Sequence, residues 1–209
     1  MKRALVVIDV QNEYVTGGLP IAYPNVEHSL GNIADAMDAA RAAGIPVVVV
    51  QHTAPEESPI FARGSHGFAL HPTVTERPYD HLVEKSLPSS FTGTDLDDWL
   101  RGHGIDTVTI AGYMTQNCDE STARAAAHRG YTVEFLSDAT GTLDLSNRAG
   151  GVSAEDLHNS VLVVMQSAFA AVTTTADWLE TVEKGGTLEN PNIIASTETA
   201  RERASDTSD

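Results

Sequence analysis

The strongest constraint on this chain is an alternation. Short β-branched apolar runs are separated by amphipathic stretches with helical spacing. Ala4 to Val10 is a run of the kind buried on both faces of a sheet, and Val47 to Gln51, after Pro46, is a second. Between them Val26, Leu30, Ile33, Met37 and Ala40 recur at helical intervals over Asn25 to Ala43, and Gly44 supplies the stop. Further strands are expected at His81 to Lys85, Thr107 to Ala111, Tyr131 to Leu136 and Ala170 to Thr174. Further helices are expected over Thr94 to Arg101, Glu120 to His128, Ser153 to Met165 and Thr175 to Val182. This order predicts an α/β fold: a six-stranded, mostly parallel sheet with helices on both faces, a Rossmann-like three-layer arrangement. The segment from Thr53 to about Pro78 carries Gly, Pro and His and has the length of a binding loop or lid.

With 209 residues, 41% of them apolar, the chain can bury one full core, assigned here to residues 1–184. After Gly185 periodicity is lost, so residues 185–209 read as a polar, flexible tail or arm. The formal charge of −16 argues against nucleic acid or anionic membrane as partners, because phosphate binding needs clustered Lys and Arg. No run approaches the ~18 apolar residues of a membrane span. The opening MKRALVVIDVQ is short, carries Asp9 and lacks a small-residue cleavage site, so it reads as a strand and not a leader. One cysteine forms no internal disulfide, which makes a reducing cytoplasm the expected location.

In parallel sheets ligands sit beyond the carboxyl ends of the strands. That rule selects Asp9, Lys85 and Cys118. Cys118 falls where a strand turns into a helix, and unpaired N–H groups of a first helical turn favour a thiolate. Read alone, it fits equally a small buried hydrophobe. Lys85 is one of three lysines, with Lys2 and Lys184, and the only one in the body of the chain. Its ammonium would lower the thiol pKa and hold Asp9 ionised, while Asp9 would serve as general base. Together they resemble a cysteine amidase triad that uses no histidine.

Three ordered motifs make this chain similar to the isochorismatase-like cysteine hydrolases, a family that includes nicotinamidases, carbamoylsarcosine amidases, ureidoacrylate hydrolases and isochorismatases. Asp9 and Gln11 match the Asp-x-Gln after the first strand, with Tyr14 where phenylalanine is usual. KSLPSSF, Lys85 to Phe91, matches the Lys-x-x-x-Ser-x-Phe block. IAGYMTQNCDEST matches Gly-x-x-Thr-x-x-Cys through Gly112, Thr115 and Cys118, with Asp119 replacing a family valine. The similarity runs over about residues 3 to 182.

The resemblance implies Cys118 as nucleophile, Asp9 as base and Lys85 as cationic partner. It also implies backbone N–H groups of Met114 and Cys118 as an oxyanion hole, and a cis peptide between Tyr113 and Met114. Gln11, Tyr14, Phe91 and Tyr113 are candidate substrate-pocket residues, though Gln11 and Phe91 each have a packing alternative. Homo-oligomers, dimers or larger, are usual in the family. Its nicotinamidases bind a metal through an Asp-x-His pair. Here His52 is in place but Val50 stands where the carboxylate should be, so no metal and no other cofactor is expected. His66 and His71 read better as loop contacts than as ligands.

The resulting expectation is a metal-independent hydrolase that cleaves a C–N bond of a small amide, ureido or carbamoyl compound through a thioester. One alternative is an isochorismatase-type vinyl ether hydrolase, with Arg63 and Arg77 as candidate anion binders. Another is a catalytically silent member acting as a binding protein. A redox-sensing thiol lacks a resolving cysteine in the chain.

Overall fold

The computed structural model describes residues 1–206. Its eight strands are β1 (Arg3–Ile8), β2 (Val47–His52), β3 (His81–Lys85), β4 (Thr107–Tyr113), β5 (Thr132–Gly141), β6 (Leu145–Asn147), β7 (Gly150–Val152) and β8 (Ala171–Thr173). Its helices are α1 (Val26–Ala42), α2 (Pro72–Thr75), α3 (Leu96–Gly102), α4 (Glu120–His128), α5 (Ala154–Ala168), α6 (Thr175–Glu183) and α7 (Ile193–Asp206).

Six strands form one sheet in the order β3-β2-β1-β4-β5-β8, with every pairing parallel. This is the expected three-layer fold. The central strands β1 and β4 are buried along their whole length, which is why ALVVI and TVTIAGY read as continuous apolar runs. Side chains alternate across the sheet. Ala4, Val6 and Ile8 join one core layer with Val108, Ile110, Ala126 and Met165. Leu5 and Val7 join the other with Ile33, Met37, Ala111 and Trp178. Chain order reverses between β1 and β4, so the crevice beyond their carboxyl ends lies at the switch point where such sheets take ligands.

Several elements differ from the sequence reading. β4 runs on to Tyr113, and β5 runs on to Gly141 past a register shift against β4. The long loop contains the short helix α2, capped by the His71 ring, which accepts the Thr73 N–H. The small antiparallel hairpin β6–β7 had no signal, because its residues are exposed and no alternation marks them. Within the segment expected to be a polar, flexible tail or arm, residues Ile193–Asp206 form α7, started by the Asn192 side chain, which accepts the Ile194 and Ala195 N–H groups. The last three residues of that predicted tail, 207–209, lie outside the described residues.

Candidate active site

Each triad residue stands at the end of a strand. Asp9 follows β1 and has a left-handed φ of 52°, a conformation uncommon outside glycine that turns the chain sharply off the sheet. Its neighbour Gln11 fixes this turn. The Gln11 amide donates to the carbonyls of His52 and Phe68 and accepts the His52 N–H. Lys85 is the last residue of β3, in register with His52 of β2. Cys118 follows β4 within a π-helical turn, Thr115–Asp119, where the Met114 carbonyl accepts the N–H groups of Asn117 and Asp119. The Tyr113–Met114 peptide is cis. Thr115 anchors the turn: its hydroxyl bonds Nδ1 of the buried His158, whose Nε2 donates to the Ser137 carbonyl.

The three groups meet. Lys85 Nζ lies 2.6 Å from Asp9 Oδ2, 3.2 Å from Cys118 Sγ and 3.3 Å from His52 Nδ1. An ammonium has three donors, and here each has an acceptor. Asp9 is fully buried, and Lys85 and Cys118 are 2% and 3% exposed. Asp9 Oδ1 has no hydrogen-bond partner among the described residues.

Charge sets the resting state. Burial raises the Asp9 pKa, opposed by the Lys85 charge. Burial pulls the Lys85 pKa down, but attraction to Asp9 and the thiol outweighs it and leaves the value raised. Cys118 corrects an expectation. Burial, then the Asp9 charge, pushes its pKa well above the ordinary thiol value, and Lys85 only partly offsets this. The first-turn position therefore does not yield a resting thiolate. Burial thus favours the protonated thiol, while Lys85 favours the ionised form of Asp9.

A carboxylate oxygen of Asp9, a ring nitrogen of His52 and Cys118 Sγ lie within 4.8 Å of one another, the spacing of a metal-ligand cluster. The Lys85 ammonium bonds all three residues, so a divalent ion there would meet a fixed cation. Val50, in the sheet, offers no ligand atom. The residues present suit an ammonium and not a metal. His66 bonds the Thr16 hydroxyl, and His71 caps α2.

The candidate pocket residues divide. Gln11 is fully buried with its amide committed to backbone groups, so it belongs to the scaffold. Tyr113 is also fully buried and tied through its hydroxyl to Ser29 of α1 at 2.6 Å. Phe91 packs in the core beneath Arg129 and against Tyr131. Tyr14, stacked edge-on against Phe61 and Tyr113, stays near the triad and feels the charges of Asp9, Cys118 and Asp119. Arg63 and Arg77 pair with Glu84 and Asp38 near the surface.

Sequence reasoning missed one participant. His52 was weighed only as a metal ligand, yet its ring accepts from Lys85; burial lowers its pKa, which suits an acceptor. Asp119, a departure from the family valine in a stretch where selectivity is expected, is a fully buried carboxyl.

Comparison with known proteins agrees with this geometry. The Isochorismatase domain model matches residues 3–177. A crystal structure of a candidate isochorismatase from Burkholderia xenovorans LB400 superposes with a TM-score of 0.96 at 60% identity, covering 97% of this chain and 98% of that one. The isochorismatase family protein YddQ of Bacillus subtilis is 32% identical over 86% of this chain and all of its own length. Ureidoacrylate amidohydrolase RutB of Methylobacterium radiotolerans is 32% identical over 82% of this chain and 76% of its own. With the domain model matching most of its length and the fold in agreement, the chain belongs to the isochorismatase family of hydrolases.

Proposed function

We propose that this protein is a cysteine amidohydrolase that cleaves a C–N bond in a small amide, ureido or carbamoyl compound. Cys118 is the nucleophile, Asp9 the proton carrier and Lys85 the fixed cation. The observation that carries this reading is the Lys85 ammonium held at 2.6 Å from Asp9 and 3.2 Å from the sulfur, with Asp9 Oδ1 left free to take a proton.

Moving the thiol proton to Asp9 leaves the site neutral, so it needs no new charge in a low-dielectric interior. The thiolate then attacks the substrate carbonyl carbon, forming a C–S bond and an oxyanion. Backbone N–H groups of Met114 and Cys118 are assigned to that oxyanion. Collapse breaks the C–N bond, and Asp9 returns its proton to the departing ammonia or amine. Water then gives a proton to Asp9 and attacks the thioester; the sulfur leaves and recovers its proton. The vinyl ether alternative wants free cations for an anionic substrate, and Arg63 and Arg77 are already paired with acids.

A homo-oligomer is the proposed working form, acting in the cytoplasm. Exposed Val163 and Val164 on α5 and Ile193 and Ile194 on α7 support association, which size-exclusion chromatography with light scattering would read.

The test is ammonia release from small amides and ureas by wild type and Cys118→Ala, with intact-mass trapping of the acyl-enzyme. Turnover with a thioester adduct on Cys118, absent from the variant, is expected. Turnover that survives in Cys118→Ala overturns the proposal.

A further inference from the structure

Asp119 is the one charged group of the site that the proposed chemistry leaves unused. Its side chain is fully buried, and neither carboxylate oxygen has a hydrogen-bond partner among the described residues. Natural interiors rarely leave such a group unmatched, because its lost hydration goes uncompensated. The carboxyl follows the nucleophile directly and lies within electrostatic reach of Asp9, Lys85, Tyr14 and Tyr113. It therefore lies in the same buried neighbourhood as the proposed nucleophile and its partners. Tyr14 adds a second polar group to the same neighbourhood, its ring set between Phe61 and Tyr113. Both positions are departures from the motif pattern, which has valine and phenylalanine there.

We infer that Asp119, with Tyr14, forms a polar recognition subsite beside Cys118 for a substrate group that carries N–H donors and no negative charge. A carboxamide, ureido or ammonium head has this chemistry. The inference deepens the hydrolase reading and rests on it.

Charge bookkeeping decides the sign. Lys85 already donates to Asp9, His52 and Cys118, so it has no donor left for a substrate anion. Arg63 and Arg77 face Glu84 and Asp38. An anionic group would enter beside two carboxyl side chains, with Lys85, Arg63 and Arg77 all committed elsewhere. A group with N–H donors would instead find two open carboxyl oxygens. Without a ligand, burial raises the Asp119 pKa, and the nearby Asp9 charge adds to this.

Because Cys118 is the only cysteine, alkylation read by intact mass reports this site alone. The folded full-length chain is treated with iodoacetamide or iodoacetate, and each rate is divided by the same reagent's rate with glutathione. Wild type should prefer the amide over the carboxylate reagent by about tenfold or more, a typical size for one lost charge or hydrogen-bond match. Asp119→Asn, which keeps the shape, and Asp119→Val should bring the ratio close to one. A wild-type ratio near one, or a ratio unchanged in both variants, overturns the subsite and leaves the hydrolase reading standing. Failure of both reagents to label folded wild type overturns both readings, since the sulfur would then be sealed from any substrate. If Asp119→Val does not fold, the wild-type ratio and Asp119→Asn still decide the matter.

Discussion

Strand β1 carries a buried ion pair at each end, and the two pairs are built on opposite plans. At the amino end, Arg3 meets Glu134 of β5 through Nε at 2.9 Å and Nη2 at 2.8 Å. Glu134 also accepts from Thr109 of β4 at 2.7 Å and from the Trp178 indole of α6 at 2.8 Å, while Arg3 donates onward to the Gly186 carbonyl. Both carboxylate oxygens are used, and three strands and a helix are tied together. At the carboxyl end, six residues along, Asp9 pairs with Lys85 but keeps Oδ1 open, and Asp119 nearby has neither oxygen matched. Desolvation is costly at both ends. Where every lone pair is met, the network is a clamp. Where some are left open beside a thiol, the unmet capacity is available to a proton or a ligand.

The largest effects should separate the two ends by kind. Cys118→Ala and Asp9→Asn should each lower kcat by more than ~1000-fold, as expected when groups act as a unit. Cys118→Ala should leave urea unfolding near wild type. Glu134→Gln should do the reverse, costing about 3–5 kcal/mol by stranding a buried charge, with kcat/KM of the folded enzyme within about threefold. Activity lost in Glu134→Gln beyond its unfolded fraction, measured at matched urea, would break the distinction between clamp and reactive end. His52→Ala tests a smaller step. Removing one acceptor from the Lys85 ammonium should lower kcat by roughly 10- to 100-fold, the worth of a charged hydrogen bond. His52→Gln should recover part of that rate.

The sheet was legible because burial on both faces writes itself as unbroken β-branched runs, as in ALVVI of β1. The triad was legible for a related reason: polar residues that end such runs, Asp9 above all, have no packing role to explain them. What escaped was set by long-range partners. Gln11 reads as a pocket group until β2 arrives to take its amide. Phe91 reads as a pocket wall until Arg129 and Tyr131 close on its ring. The direction of the Cys118 pKa depends on how completely the thiol is dried, which a first-turn position does not encode. The β6–β7 hairpin and α7 escaped because their exposed residues carry no periodic apolar signal.

The smallest effect sharpens the comparison through pH. Burial raises the Asp119 pKa above the ordinary 3.8. Between 3.8 and the raised value, the folded chain keeps a proton that the unfolded chain has released, so stability falls as pH rises through that window. Below it both states are protonated and the group contributes nothing. Above it the penalty is constant. Asp119→Asn removes this dependence, while Asp9 and Lys85, whose pKa values are also raised, remain in both proteins. The gain of the variant over wild type should therefore start near zero at pH 3.8, grow as pH rises through that window and then level off. Urea unfolding at half-unit pH steps reads that difference. A difference that stays flat with pH would mean that Asp119 has a partner in solution, and the open end of β1 would be closed after all.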